Sequence, residues 1–213
     1  MSDIENLNEI YSTFNCKKGG AFKPQEYKRG FAEMNSMVYN QSTRKDIDGY
    51  KYLPEFSNEE QGTWVDTKVK ELVICFRGSI TREDWLETDL RILIPIGFKS
   101  TNRYIRSREL AMKAYNKYKG YNVVLTGHSL GSHIATAMWQ EFNEMDKDTK
   151  FVVYNRGSSP FEIFSQNPKD KEDRIHYHAE GDIISDNFLK DTKTTHYVSK
   201  PTKWIPHLLG NFY

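Results

Sequence analysis

Residues 123–135 read Val-Val-Leu-Thr-Gly-His-Ser-Leu-Gly-Ser-His-Ile-Ala. A β-branched and apolar run, Val123 to Leu125, stops at Gly127. Ser129 follows, then Gly131, then Ile134, Ala135, Met138 and Phe142 at helical spacing. A serine between two glycines, in a strand–turn–helix context, carries a hydroxyl placed to act as a nucleophile. The turn is so tight that a Cβ at either flanking position would strike the neighbouring strand or helix, while the serine is lifted out with its oxygen exposed. The helix start behind it adds partial positive charge and free N–H groups where a reacting carbonyl would sit. The competing reading is an ordinary strand–turn–helix connection with an incidental serine, so the partners available to the hydroxyl decide between them.

A serine hydroxyl is a weak nucleophile at neutral pH unless a base takes its proton. A histidine held by a carboxylate is the usual base, and with this kind of turn the order along the chain is Ser, then Asp or Glu, then His. Asp182 and His207 supply that order. Asp182 follows a strand-like run at 174–178, where strand carboxyl ends gather active groups. It lies between Gly181 and Ile183-Ile184, and is preferred to its neighbours Glu180 and Asp186. His128 and His133 belong to the turn and helix themselves, and His176 and His178 precede the carboxylate. Of the two that follow it, His196 sits in the strand-like Thr-Thr-His-Tyr-Val. His207 sits in an irregular segment after Pro206, flanked by Leu208 and Leu209, and is the expected base, with His196 as the alternative. The negative oxygen of a tetrahedral intermediate needs donors: the N–H of Leu130 and a group from Gly78-Ser79, after an earlier strand.

The elements that must position these groups can be read from patterning. A chain of 213 residues suits one domain with a single core: a polar lead-in over 1–23, then one domain over 24–213. Pro24 opens an expected helix reaching Tyr39, with Phe31, Met34, Val38 and Tyr27 on one face. Residues 40–62 read as loops or short edge strands, and 68–76 as a strand ending at Arg77-Gly78-Ser79. Thr81 with Asp84 is a helix-start signature before Trp85 and Leu86. Residues 91–98 are apolar and broken by Pro95. A helix from Ser100 or Thr101 to Tyr118 ends at Gly120. Further strands are expected at 150–154, 174–178 and 194–198. Strands alternating with helices predict an α/β fold, a mostly parallel central sheet with helices on both faces.

Thirty Lys and Arg against 29 Asp and Glu leave a net charge of +1, no basis for nucleic-acid binding. Arg103 to Arg108 reads as a solvated helix face. Two cysteines, Cys16 and Cys75, make no disulfide framework and favour a reducing compartment. The acidic, polar N-terminus has no signal-peptide core, so a cytoplasmic or otherwise intracellular location is expected, and no run of about 18 apolar residues could span a bilayer. His176 and His178 share a strand face near Asp182, which raises metal-dependent hydrolysis. Without a clear third and fourth ligand, neither metal nor cofactor is expected.

In its segments from about 65 to 213 the chain resembles the class 3 (fungal-type) lipases of the α/β-hydrolase fold. The resemblance rests on Phe76-Arg77-Gly78-Ser79, Asp84-Trp85-Leu86 with Asp89, Gly97-Phe98, Thr126-Gly127-His128-Ser129-Leu130-Gly131, the turn from Asn155 to Pro160, and Gly181-Asp182-Ile183-Ile184. It implies Ser129 as nucleophile, Asp182 as orienting acid, His207 as base, and Ser79 with Leu130 at the oxyanion hole. It also implies an apolar acyl cleft, with Ile94 and Ile96 on one side and Trp204 and Leu208 near the histidine. The implied substrate is a carboxylic ester or acyl lipid, met through transient contact with a lipid interface and without a cofactor. The chain departs from the pattern at Ser132, where a second glycine is usual, at Ile94-Pro95-Ile96, at Ile183, and in a short aspartate–histidine interval. A catalytically silent lipid-binding protein that keeps the fold is the alternative.

Overall fold

The structure, a computed structural model, describes residues 30–78, 99, 101–145, 149–155, 174–179 and 195–198. Seven strands among them form one sheet in chain order: β1 (Lys51–Tyr52), β2 (Gln61–Asp66), β3 (Glu71–Phe76), β4 (Asn122–His128), β5 (Thr149–Tyr154), β6 (Arg174–Ala179) and β7 (Thr195–Val198). The first two pairings are antiparallel, and β3 through β7 run parallel. Three α-helices are described: α1 (Gly30–Val38), α2 (Asn102–Lys117) and α3 (Leu130–Met145).

Side-chain alternation along the strands builds two cores. Leu72, Ile74 and Phe76 of β3, with Val123 and Leu125 of β4 and Phe151 and Val153 of β5, pack with α2 and α3. The residues between them, Val73, Cys75, Val124, Val152 and Tyr154, pack with Phe31, Ala32, Met34 and Val38 of α1 on the opposite face. A strand covered on both faces needs apolar residues at consecutive positions, which is why β3 and β4 read as unbroken hydrophobic runs. Burial of the fully enclosed Cys75 pushes its thiol well above the usual range, as expected of an inert packing residue.

The helices follow the sequence signals. The Thr101 hydroxyl caps α2 by accepting the Tyr104 N–H at 3.2 Å, and Gly120 beyond its end takes φ +88°. Phe31, Met34 and Val38 of α1 are buried as their spacing predicts, and so are Ile134, Ala135, Met138 and Phe142 of α3. Residues 24–29, the Thr81–Asp84 signature and the apolar segment 91–98 lie outside the described residues.

Two expectations are corrected. Residues 61–66, of which 61–62 ended the stretch read as loops or short edge strands and the rest had no assigned element, form one strand, β2, buried throughout. Its polar residues disguised it, yet several find partners inside: the Thr63 hydroxyl donates to the Phe56 carbonyl at 2.6 Å, and the Trp64 indole to the Lys45 carbonyl at 2.9 Å. The following strand begins at Glu71 rather than Lys68. The Asp66 carboxylate accepts the N–H groups of Lys68 and Val69, at 2.8 and 3.3 Å, and Lys70 takes φ +54°. An Asx turn therefore occupies 66–70 and leaves Val69 exposed.

Candidate active site

Strands β3, β4, β5 and β6 all end at one edge of the sheet. Across that edge His128 lies level with Tyr154, Tyr154 with Tyr177, and Tyr177 with His196. The residue after His128 is Ser129, at φ +55°, a left-handed conformation that costs a residue with a Cβ about 1–2 kcal/mol. Two backbone bonds hold it there. The Ser129 N–H donates to the Tyr154 carbonyl at 3.1 Å, and its carbonyl accepts the Ser132 N–H at 3.0 Å. Such strain persists where the surroundings over-determine it, and it clusters at functional sites.

The flanking glycines are required by contact. A Cβ on Gly127 would stand 2.3 Å from the Gly131 carbonyl oxygen, and one on Gly131 would stand 2.0 Å from that of Phe76. A Cβ on Gly78 would meet the Tyr39 hydroxyl at 2.3 Å, the His128 carbonyl oxygen at 2.9 Å and the Ser129 Cβ at 3.2 Å. The end of β3, the turn at 127–131 and the segment 77–78 are thus packed backbone to backbone, which puts Gly78 directly against the serine. Leu130 opens α3, where N–H groups lack intrahelical partners. Ser132, where a second glycine was the pattern, fits because its hydroxyl folds back onto the Ser129 carbonyl.

Helix α1 is keyed to β4 by two rungs. Asn35 Nδ2 donates to Thr126 Oγ1 at 2.7 Å, and four residues on the Tyr39 hydroxyl pairs with His128 Nδ1 at 2.8 Å. Four helical residues rise about 6.0 Å and two strand residues about 6.6 Å, so the rungs stay in register. Arg44 fixes the end of this helix, its guanidinium donating to the Val38 carbonyl at 2.8 Å and to the Gln61 carbonyl at 3.2 Å. The Tyr39 oxygen also accepts the Gly78 N–H at 3.0 Å. Burial, only partly offset by that bond and by Arg103 and Arg77, pushes the Tyr39 hydroxyl up to about 12, so it stays protonated at neutral pH. The protonated hydroxyl thus occupies His128 Nδ1 while it accepts the Gly78 N–H.

Of the residues expected to act, Ser129 and its chain neighbour Leu130 fall within the described residues, at the turn between β4 and α3. Ser79, Asp182, His207, Ile94, Ile96, Trp204 and Leu208 lie outside the described residues. The alternative base, His196, is in β7. Its backbone lies three strands from β4 in the sheet. The ring of His176 packs edge-on to Phe151 at 5.1 Å and is buried, which gives it a packing role. Sequence reasoning missed Tyr39 and Arg103. Arg103 was assigned to a solvated face, but its side chain is 11% exposed beside Glu60. Of that stretch Ile105, Arg106 and Arg108 are the exposed residues.

No family model matches the chain, and no curated protein matches it in sequence. Solved structures do. The chain is similar to the Lip2 lipase from Yarrowia lipolytica at 16% identity and TM-score 0.60, covering 92% of this chain and 85% of that one. It is similar to a mono- and diacylglycerol lipase from Aspergillus oryzae at 15% identity and TM-score 0.54, covering 91% and 95%. A fungal lipase aligns at 14% identity and TM-score 0.55 over 88% and 83%. At such identity the likeness shows the fold, which is the α/β-hydrolase fold of those enzymes.

Proposed function

We propose that the protein is a serine hydrolase of carboxylic esters, of lipase or esterase type, that works through an acyl-enzyme on acyl lipids. The observation that carries this reading is Ser129, held at φ +55° between β4 and α3, with Gly78 beside its Cβ and closed to any side chain by the Tyr39 hydroxyl and the His128 carbonyl oxygen. A strained serine, a helix start and an oxyanion-loop backbone in mutual contact have no packing purpose that a relaxed residue would not serve better.

In the proposed reaction His207, oriented by Asp182, takes the Ser129 proton as Oγ attacks the ester carbonyl. The carbonyl oxygen becomes an oxyanion that accepts from the Leu130 N–H and from Ser79. Collapse expels the alcohol, which takes the proton back from His207. Water, activated by the same imidazole, then releases the acid. Ile94, Ile96, Trp204 and Leu208 form the acyl cleft in this reading. The fold shared with enzymes described as lipases supports an acyl-lipid substrate. Among the described residues no helix is long and apolar enough to cross a membrane.

The test is a panel of p-nitrophenyl esters of increasing acyl length, assayed with the parent protein and Ser129→Ala. Hydrolysis that rises with acyl length and disappears in the variant is expected. Hydrolysis that survives Ser129→Ala overturns the assignment.

A further inference from the structure

The peptide that joins Arg77 to Gly78 is held from both faces of the sheet. Its N–H donates to the Tyr39 hydroxyl at 3.0 Å, just past the end of α1. Its C=O accepts from the Arg103 guanidinium, in the first turn of α2. Helix α1 packs on one face of the sheet and α2 on the other. In a trans peptide the N–H and C=O point in opposite directions, so one acceptor and one donor on opposite sides can fix its plane. The neighbouring groups are fixed as well. The Arg77 N–H donates to the Glu60 carbonyl at 3.0 Å, and Arg103 reaches the Gly78 carbonyl at 3.5 Å.

Arg103 is itself held. Its Nε lies 3.9 Å from the Glu60 carboxylate, whose two oxygens accept from Arg106 at 3.0 Å each. Glu60 and Arg103 side chains are both 11% exposed, against 54% for Arg106. This shielded carboxylate hydrogen-bonds Arg106 and lies within ion-pair distance of Arg103, so its charge favours keeping the Arg103 guanidinium in place. Tyr39 is restrained equally by the Asn35–Thr126 rung one turn before it and by His128. The peptide they grip ends in Gly78, whose Cα faces the Ser129 Cβ.

We propose that Tyr39 and Arg103 are positioning residues for ester hydrolysis, a two-sided clamp that sets the orientation of the oxyanion loop against Ser129. The inference rests on the proposed function, in which the residue after Gly78 supplies an oxyanion donor. Such donors act only when aimed at the place where charge develops. Neither residue touches the reacting atoms. Their effect passes through one peptide plane, so it belongs to the transition state rather than to substrate binding.

The experiment compares the parent with Tyr39→Phe, Arg103→Met, Arg103→Lys and the Tyr39→Phe/Arg103→Met double variant. Four quantities are read: kcat per active site titrated with a fluorophosphonate, KM for p-nitrophenyl butyrate, Ki for an alkyl boronic acid that forms a tetrahedral adduct on serine, and the melting temperature. Losing an oxyanion donor outright costs about 100- to 1000-fold. Misaiming one is expected to lower kcat by about 10- to 100-fold in Tyr39→Phe and Arg103→Met, with KM within about 2-fold. The boronic acid weakens in parallel. Arg103→Lys restores part of the loss, and the double variant loses less than the product of the singles because both act on one peptide. A merely structural role lowers the melting temperature or the number of titrated sites, leaves kcat per site and the boronic acid Ki unchanged, and overturns the clamp while the proposed function stands. A parent protein that neither hydrolyses the ester nor reacts with the fluorophosphonate sinks the proposed function, and the clamp with it.

Discussion

Replacing Gly131 by Ala sets two physical effects against each other. On local grounds the change is favourable, since alanine is better than glycine inside a helix by about 0.8–1.0 kcal/mol, and Gly131 lies in the first turn of α3. The packing says the reverse. The added Cβ would stand 2.0 Å from the Phe76 carbonyl oxygen, 2.7 Å from its carbon and 2.9 Å from the Arg77 carbonyl carbon. Ordinary contact starts at 3.4 Å, so the end of β3 and the start of α3 must part by about 1.4 Å. Both sides are backbone, and neither can swing away as a side chain would. Overpacking of this kind costs about 1–3 kcal/mol, which cancels or outweighs the propensity gain and leaves a net destabilisation of about 0–2 kcal/mol. The atoms forced apart carry the serine on one side and the oxyanion loop on the other, and a 1 Å misplacement costs on the order of 100-fold in rate. Urea unfolding gives the first quantity, and kcat per titrated site on p-nitrophenyl butyrate the second. A Gly131→Ala protein that is more stable than the parent and turns over normally refutes the backbone-contact account of the elbow.

Ser129→Gly removes the cost of φ +55° and is expected to raise stability by up to about 1 kcal/mol while abolishing esterase activity; thermal unfolding checks the sign. Gly120→Ala meets nothing within 4 Å, but φ is +88°, so the backbone alone destabilises it by about 1 kcal/mol. Its kcat should stay at the parent value. Burial raises the Glu141 carboxyl, but the Arg108 and Tyr104 hydrogen bonds, at 2.6 and 2.8 Å, outweigh it and hold the group below the usual range. A carboxylate depressed in the folded state stabilises fully above its unfolded titration range, and that contribution is lost as pH falls through the folded one. The stability gap between the parent and Glu141→Gln, measured by urea at pH 7 and pH 3, should therefore shrink at the lower pH.

What could be read from sequence divides along physical lines. The central strands and the three helices were legible because burial on both faces of β3 and β4 demands continuous apolar runs, and because Thr101 and Gly120 mark the ends of α2. Strand β2 was not legible, since Gln61, Thr63 and Asp66 hide hydrogen bonds that only the folded chain provides. The elbow was readable from Gly127, Ser129 and Gly131 because steric exclusion acts within five residues. Tyr39 and Arg103 were not, because their value lies in meeting one peptide from opposite sides of a sheet. Nothing in their own neighbourhoods records that meeting.

The most direct measurement is the identity of the residue that an alkyl fluorophosphonate modifies, read by intact mass and peptide mapping. A single adduct on Ser129, formed slowly in His207→Ala and Asp182→Asn and absent from Ser129→Ala, is the predicted result. No adduct on the folded protein, or an adduct on any other serine, contradicts the account.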